Sequence, residues 1–233
     1  MARLPRLVLA QQPHYIVQRG NDSQVIVRDD DDYQRFLVWL RESAREFKVA
    51  VHAYALLPNQ LHVLATPSTT EGLAQMMQRV GRYYVPWFNA KHGRSGGLFQ
   101  GRFKTSLIDA ANYFLLCSRY VERSAVRQQL VSEPGDYQWS SYAHHAGTRP
   151  DPLVTDHALY WALGNTPFQR EAAYIELSRP QLSQHELGMI ESAVLKGWPL
   201  GSDGFKAELE TKVKRQVLPA KRGRPFKVKP AEQ

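Results

Sequence analysis

The sequence LLPNQLHVLATP at residues 56–67 is a leucine-rich, mostly apolar run interrupted by a turn-forming Pro-Asn pair and by Gln60 and His62. Prolines suit the edges of strands and turns, so we predict strands over residues 49–57 and 61–66. Because side chains alternate between the two faces of a strand, Gln60 and His62 share one face. The link between the strands is too short for a parallel crossover, and the strands are therefore predicted to be antiparallel.

Hydrophobic period and turn residues place the other elements of the first 130 residues. Further strands are predicted at residues 14–18, 24–28 and 103–108, and helices at about 30–48, 73–87 and 112–129. Pro86 is expected to kink or shorten the second helix. Together these elements predict an α+β fold in which an antiparallel sheet packs against helices on one face.

Length and composition limit the classes of protein that fit. The chain has 233 residues, 43% of them hydrophobic, which is enough to bury a core and to add an appendage to one domain. Its single cysteine, Cys117, excludes an internal disulfide framework and is expected to be buried as a small apolar residue. No apolar run approaches the roughly 20 residues of a membrane span. We therefore expect a cytoplasmic protein without membrane contact.

Positive charge is concentrated in two segments of the chain. The net charge is +8, and residues 206–229 hold nine lysines and arginines against two glutamates, which is nearly the whole excess. Residues 72–108 hold six further cations and no acid. Two separate basic segments favour a polyanion contacted at two places, and nucleic acid is the commonest such partner. The alternative is that both segments are merely solvated faces.

The C-terminal third has a different character from the rest. We divide the chain into a domain at 1–146, a linker at 147–165, a helical region at 166–216 and a basic tail at 217–233. Thr166 and Ser183 each begin a capping box, which predicts the start of a helix. The last two helices form either a DNA-binding helix-turn-helix or a plain helical hairpin. In the tail, Arg222 and Arg224 belong to an Arg-Gly-Arg-Pro sequence like an AT-hook, which suits a narrow minor groove.

Several ordered motifs in the first 145 residues resemble those of one family. Besides the strand with Gln60 and His62, they are Gln18-Arg19-Gly20-Asn21, residues 97–104, residues 118–127 and Trp139-Ser140-Ser141-Tyr142. This pattern is similar to that of the REP-associated tyrosine transposases, relatives of the HUH single-tyrosine transposases of insertion sequences. The resemblance implies a ferredoxin-like arrangement of the sheet and a transposase-like catalytic domain at residues 1–146.

The resemblance also implies roles for individual residues. Tyr120 is implied as the nucleophile that attacks a DNA phosphodiester and stays joined to it as a phosphotyrosine. A hard cation, Mg²⁺ or Mn²⁺, is implied at Gln60, His62 and Ser124, where it would polarise the phosphate. Gln60 stands where the family has its first histidine and Ser124 where it commonly has Asn or Gln, so weaker metal binding is expected. Without the motif, a tyrosine at helical spacing indicates packing and a lone strand histidine a structural role.

Two arginines accompany Tyr120 on the predicted helix. Arg123 and Arg127 follow it at i+3 and i+7, which places them on the same helix face. Their charge suits a phosphate backbone, and we predict that both contact DNA.

Four further residues are predicted DNA contacts. Arg102 and Lys104 flank Phe103, and cations beside an aromatic residue are typical of single-stranded nucleic-acid sites. The alternative is that the aromatic residues here are core and the cations merely exposed. Arg19 and Asn21 belong to the first motif, although polar residues near turns are commonly structural.

The functional hypothesis is a metal-dependent single-strand endonuclease and strand transferase that acts on short repeated palindromes folded as hairpins. The substrate class comes from the resemblance alone. A second hypothesis is a DNA-binding protein that has lost catalysis because Gln60 and Ser124 depart from the family pattern. A third, an RNA-binding ferredoxin-like module, lacks the expected aromatic RNP pattern. The protein is expected to be a monomer or homodimer and nucleoid-associated.

Overall fold

The structure is a computed structural model that describes residues 6–213 and 216–217. Its strands are β1 (His14–Arg19), β2 (Val49–Leu57), β3 (Gln60–Pro67) and β4 (Lys104–Leu107). Its α-helices are α1 (Asp30–Glu46), α2 (Gly72–Lys91), α3 (Ala110–Glu122), α4 (Ser124–Arg127), α5 (Tyr142–His145), α6 (Ala158–Trp161), α7 (Pro167–Ser178), α8 (Gln184–Lys196) and α9 (Asp203–Lys212). Short 3₁₀ turns lie at Asn21–Ser23 and Pro134–Asp136.

The four strands form one antiparallel sheet in the order β2-β3-β1-β4. Along the chain the elements follow the order β1-α1-β2-β3-α2-β4, and this succession with this strand order is the ferredoxin-like arrangement. Leu57 pairs with Gln60 across the two-residue turn, as the antiparallel hairpin predicted. The predicted α+β, ferredoxin-like fold is confirmed.

Helices α1 and α2 cover one face of the sheet. Phe36 and Leu40 from α1 and Val80 and Tyr84 from α2 are fully buried in the same cluster as alternate residues of the strands. The start of α1 is capped by Asp29, whose carboxylate accepts a hydrogen bond from the amide of Asp32, which satisfies an amide at the helix start. These two helices are those that the sequence pattern predicted.

The other face is covered as well, by α3, α4 and α8, so the expectation of helices on one face only is wrong. Phe114 and Cys117 from α3 and Ile190 and Val194 from α8 are buried against the strand residues that point away from α1 and α2. The reason is the apolar character of both faces, since strands buried on both sides must have two layers of helix. Burial also raises the pKa of the Cys117 thiol, which is consistent with a packing role for this side chain.

Three local predictions differ from the structure. Residues 24–28 form no strand, because the amides of Ile26 and Val27 both donate to the single carbonyl of Pro58 instead of forming a ladder. The helix predicted at 112–129 ends at Glu122 and resumes as α4 after Arg123, next to a Ser124 hydroxyl that donates to a main-chain carbonyl. Helix α2 continues through Pro86 to Lys91 and is not shortened.

A buried carboxylate joins α3 to the segments that follow. Glu122 is fully buried, and its Oε1 accepts hydrogen bonds from Nδ1 of His145 at 2.7 Å and from the hydroxyl of Ser141 at 2.5 Å. Its Oε2 accepts from the hydroxyl of Tyr174 at 2.5 Å. Three side chains of the later chain, two from α5 and its N-cap and one from α7, therefore make buried hydrogen bonds to one acid.

The predicted C-terminal helix starts are confirmed. Thr166 and Ser183 both make complete capping boxes, and α8 ends at Gly197 with φ of 71°, a conformation that favours glycine. Because Ile190 and Val194 of α8 share the cluster of Tyr120, this helix packs on the sheet. The division into four segments and the helix-turn-helix alternative stay predictions.

Candidate functional site

The candidate site is a cleft of about 620 Å³. It lies at the edge of the sheet where β1 ends at Arg19 and β3 begins at Gln60. Strand alternation puts Gln60 and His62 on the face covered by α3, and both line the cleft together with Tyr120. The remaining lining residues include three arginines, Arg19, Arg123 and Arg127, and Ser124, Gln184, Leu187 and Glu191. The predicted nucleophile and the three predicted metal ligands therefore meet in one cleft.

Tyr120 lies in the wall of this cleft with little of its surface exposed. Its side chain is 3% exposed, and its hydroxyl donates to Oε1 of Glu191 at 3.2 Å. Burial raises the pKa of Tyr120 to about 12, the guanidinium of Arg127 opposes this rise, and the charge of Glu191 adds to it. The phenol is therefore protonated at neutral pH and needs help to act as a nucleophile.

The guanidinium of Arg127 packs directly on the ring of Tyr120. Its Cζ lies 3.8 Å from the ring centroid, and Nη1 donates to the carbonyl of Tyr120 at 2.5 Å. The i+7 spacing on a continuous helix predicted this proximity, and the contact is present although the helix breaks at Arg123. Arg127 thus adds positive charge next to the predicted reacting hydroxyl.

Arg123 and Ser124 line the cleft but already have local hydrogen bonds. Arg123 is 7% exposed, and its Nη1 donates to the carbonyl of Ser178 in α7 at 2.7 Å. The hydroxyl of Ser124 donates to the carbonyl of Val121 at 2.6 Å and keeps only its lone pairs for another partner. Arg123 therefore holds α7 in place in addition to contributing charge to the cleft.

His62 is fixed at the floor of the cleft. Its Nδ1 lies 2.5 Å from the hydroxyl of Tyr15 in β1, and the two rings are stacked. Burial first, and then the charges of Arg127 and Arg19, lower the pKa of His62 to about 3. The imidazole is therefore neutral, which is the form that binds metals.

The donor set of the cleft fits a divalent cation. Nε2 of His62 is buried and has no hydrogen-bond partner within the part of the chain that the structure describes. When Nδ1 carries the ring proton and donates it to Tyr15, this Nε2 presents its lone pair. Gln60 adds an amide oxygen and Ser124 a hydroxyl oxygen from the same cleft lining.

A second group of possible metal ligands lies elsewhere and already has a cation. Ligand atoms of Asp29, Asp32 and His92 lie within 4.8 Å of one another at the start of α1. The ammonium of Lys91 contacts both of these aspartates, at 2.7 and 2.9 Å, and Asp31 at 3.0 Å. Since the ammonium of Lys91 already contacts these carboxylates and competes with a metal ion there, the cleft of His62 is the better candidate for a metal.

The predicted DNA contacts outside the helix are spread over the same end of the sheet. Arg19 is exposed and lines the cleft. Asn21 is exposed as well, and its main-chain N–H donates to the carbonyl of Leu98. Lys104 pairs with Val17 across β1 and β4, which puts it on the face of Tyr120. Arg19 and Lys104 therefore lie on the cleft side of the sheet, whereas Asn21 follows the end of β1 and does not line the cleft.

Arg102 and its aromatic neighbour have a different position. Arg102 is exposed and lines a second cleft of about 350 Å³. Gln18 also lines this cleft, and because it pairs with Leu61 its side chain lies on the face of the sheet opposite Tyr120. The ring of Phe103 is 7% exposed and is covered by the guanidinium of Arg6 at 3.8 Å. The alternative that this aromatic is core is thus the correct one for Phe103. Arg222 and Arg224 lie outside the described residues.

Two residues of the site were not found from the sequence. Tyr15 lies in β1, where the sequence pattern indicates only a core position. Glu191 lies in α8 and is 71 residues from Tyr120 along the chain. Neither belongs to a local pattern with Tyr120 or His62. The only signal in the sequence was the apolar face of α8, which predicts that the helix packs but does not say where.

Solved structures with a similar fold are known. A REP-associated tyrosine transposase bound to a REP hairpin is similar over 68% of this chain and 96% of its own, with a TM-score of 0.54 and 15% identity. A candidate transposase from Deinococcus radiodurans R1 covers 52% of this chain and 96% of its own, with a TM-score of 0.36 and 14% identity. A bacterial tRNA(His) guanylyltransferase-like protein in complex with ATP covers 57% and 72%, with a TM-score of 0.36 and 11% identity.

Sequence comparison adds no family to these similarities. Neither a protein-family model nor a curated protein matches the chain. At 15% identity the first structural similarity shows the fold, and the two with lower TM-scores carry no argument. Among residues 6–213 and 216–217, no helix has the length and apolar composition that crossing a membrane requires.

Proposed function

We propose that this protein is a metal-dependent tyrosine nuclease and strand transferase that acts on single-stranded DNA. The observation that carries the proposal is that Tyr120 shares a cleft with three arginines and with His62, whose Nε2 has no hydrogen-bond partner in the described part of the chain. A nucleophile, positive charge for a phosphate and a metal-binding nitrogen are the parts that phosphodiester transfer needs.

The proposed reaction joins DNA to the protein. Oη of Tyr120 attacks a phosphorus of the strand, the new Oη–P bond forms, and the bond from phosphorus to the 3′-oxygen breaks. The phenolic proton of Tyr120 passes to solvent, the 3′-oxygen takes a proton from water and leaves as a hydroxyl, and the 5′-phosphate stays on Tyr120. Because the phosphotyrosine conserves the broken bond, a 3′-hydroxyl reseals the strand without an external energy source.

Residues of this chain position the phosphate and stabilise its charge. Arg19 and Arg127 reach the cleft from β1 and α4 and oppose the negative charge that grows on the phosphate oxygens. Arg123 adds charge from the cleft wall while it holds α7. The stacking of Arg127 on Tyr120 also favours the phenolate that forms as the proton leaves.

Mg²⁺ or Mn²⁺ is the proposed cofactor. His62, Gln60 and Ser124 would hold it, and when bound it supplies Lewis-acid polarisation of the phosphate. The amide and the hydroxyl are neutral oxygen donors, so we expect weak binding that needs millimolar metal rather than a permanently bound ion.

Repeated palindromic hairpins are the proposed substrate class. The sequence motifs and the fold shared with a hairpin-bound transposase support this choice. The basic tail with Arg222 and Arg224 is proposed to bind duplex DNA next to the hairpin through the minor groove. Lys104, Asn21 and Arg102 are proposed to contact the strand along the end of the sheet.

Two observations favour a second candidate, a DNA-binding protein without catalysis. The pKa of Tyr120 is raised to about 12, and Gln60 is a poorer ligand than the histidine of the resembled family. A protein with a weakened site would keep the basic cleft and the fold and bind hairpins without cutting them.

Incubation of labelled hairpin DNA with Mn²⁺ or Mg²⁺, followed by a denaturing gel, tests the proposal. A covalent adduct that requires metal and is absent with Tyr120→Phe supports the nuclease. Tight binding without adduct, together with an adduct in the Gln60→His variant, supports the second candidate, because one added ligand then restores catalysis. A wild-type protein that neither binds nor cuts hairpins contradicts both.

A further inference from the structure

Glu191 is the only acid among the described residues that line the cleft. It lies on α8, and its Oε1 accepts the hydrogen bond of the Tyr120 hydroxyl at 3.2 Å. The side chain is exposed, in contrast to the buried Tyr120. The carboxylate therefore touches the predicted reacting atom on one side and solvent on the other.

If the cleft only bound DNA, an acid at this position would be unfavourable. The cleft is built from three arginines and is proposed to hold a phosphate, so a carboxylate repels the ligand and partly cancels the attraction. The packing of α8 does not need it either, since Ile190, Ala193 and Val194 supply the buried face of the helix. A role in the chemistry accounts for its presence.

The phenol of Tyr120 needs a proton acceptor. A tyrosine hydroxyl ordinarily has a pKa of about 10, so free phenolate is scarce at neutral pH. Removal of the proton during attack by a positioned base is the ordinary solution for such a nucleophile. The group in position to do this is the one that already accepts the hydrogen bond.

We propose that Glu191 is a catalytic residue that takes the proton of Tyr120 as the Oη–P bond forms. In the same step the bond between phosphorus and the 3′-oxygen breaks, and that oxygen takes a proton from water. Glu191 then holds the phenolic proton and exchanges it with solvent. In strand joining the direction reverses, and protonated Glu191 returns a proton to Tyr120 as the phosphotyrosine bond breaks. This inference rests on the proposed nuclease function.

The position of α8 gives the proposal a structural consequence. Leu187 and Gln184 on the same helix also line the cleft, while Ile190 packs against the sheet. The C-terminal helical region is therefore proposed to complete the active site, in addition to any role in binding duplex DNA. A domain limited to residues 1–146 would lack the base.

Single-turnover adduct formation with saturating hairpin DNA and Mn²⁺ tests the role of Glu191. Glu191→Gln keeps a hydrogen-bond acceptor of the same shape but cannot hold the proton, and we expect its rate to fall about 100-fold. Its affinity for the hairpin is expected to be equal or higher, because a negative charge leaves the cleft. Glu191→Asp should recover part of the rate. Glu42→Gln, an exposed change on α1 across the sheet, serves as the control and should keep the wild-type rate.

The pH profile and the metal requirement separate base catalysis from other roles. Without its base, the Glu191→Gln rate should continue to rise with pH after the wild-type rate has levelled off, because hydroxide replaces the carboxylate. A rate within about threefold of wild type would overturn the proposal, and so would a loss that excess Mn²⁺ restores, since that identifies a metal ligand. If the wild-type protein forms no adduct, both the proposed nuclease function and the proposed role of Glu191 are overturned. An adduct in wild type with no effect of Glu191→Gln removes only the present inference.

Discussion

The hydroxyl of Tyr15 lies 2.5 Å from Nδ1 of His62, and the two rings are stacked with an interplanar angle of 4°. Strand β1 thereby fixes the imidazole of β3 in one orientation. The other ring nitrogen, Nε2, has no hydrogen-bond partner among residues 6–213 and 216–217 and lies at the floor of the cleft. A partner that orients a histidine in this way is typical of metal sites.

Loss of the Tyr15 hydroxyl should weaken metal binding and leave the nucleophile in place. We expect Tyr15→Phe to raise the Mn²⁺ concentration that gives half-maximal adduct formation about 10-fold or more, because the imidazole is then free to turn. At saturating Mn²⁺ the adduct should still form. An unchanged metal requirement would contradict the role of Tyr15.

Removal of the Arg127 charge should slow the chemical step. The guanidinium opposes the rise in the pKa of Tyr120 and lies on its ring, so Arg127→Met raises this pKa further and removes one cation from the cleft. We expect single-turnover adduct formation to slow about 100-fold. Arg127→Lys, which keeps the charge, should lose less. Equal rates in the two variants would show that charge is not what matters.

The buried carboxylate of Glu122 should be important for stability. Glu122→Gln replaces an acceptor of three hydrogen bonds with an amide that must point two of its own donors at Ser141, His145 or Tyr174. We expect the free energy of unfolding in urea to fall by about 2–4 kcal/mol. Glu133→Gln, an exposed change, should alter it by less than about 0.5 kcal/mol. A similar small effect at Glu122 would contradict the network.

Two buried histidines should make the fold sensitive to acid. In His14 one ring nitrogen contacts the carbonyl of Gln12 and the other accepts from the amide of Leu9, while in His52 the partners are the carbonyl of Thr155 and the hydroxyl of Thr66. Each histidine is therefore held neutral, and burial lowers both pKa values to about 4.

The sign of the acid effect follows from these two pKa values. Between about pH 4 and 6.5 the unfolded chain binds protons that the folded chain does not, so the free energy of unfolding falls as pH falls through this window. Each histidine contributes a slope of at most about 1.4 kcal/mol per pH unit. Urea unfolding at a series of pH values should show a smaller slope for His52→Gln. An unchanged slope would mean that His52 does not titrate as its burial indicates.

Local patterns predicted the parts of the site that lie within one element. The period of β3 put Gln60 and His62 on one face, and helical spacing put Arg127 beside Tyr120. The resemblance of the motifs to one family predicted that Gln60 and His62 on β3 lie near Tyr120 on α3. In the structure these three residues line one cleft. The break at Arg123 was missed, because helical spacing assumes a continuous helix.

Contacts between distant segments could not be predicted in this way. Tyr15 and Glu191 approach the site from β1 and α8, and no period or short motif connects either residue to Tyr120. The second layer of helices was missed for the same reason, since an apolar helix face predicts burial without naming the surface it covers. The strand predicted at residues 24–28 is absent, because the main-chain amides of Ile26 and Val27 both donate to the carbonyl of Pro58 in the turn between β2 and β3.

The central claim is that the Tyr120 hydroxyl becomes covalently joined to DNA. The most direct measurement is the intact mass of the protein after incubation with a defined hairpin oligonucleotide and Mn²⁺, followed by proteolysis to locate the added nucleotide. We predict a protein heavier by the 5′-phosphorylated product strand, with the mass on the peptide of Tyr120 and absent from Tyr120→Phe. An unmodified protein in the presence of cleaved DNA, or an adduct on another residue, would contradict the account.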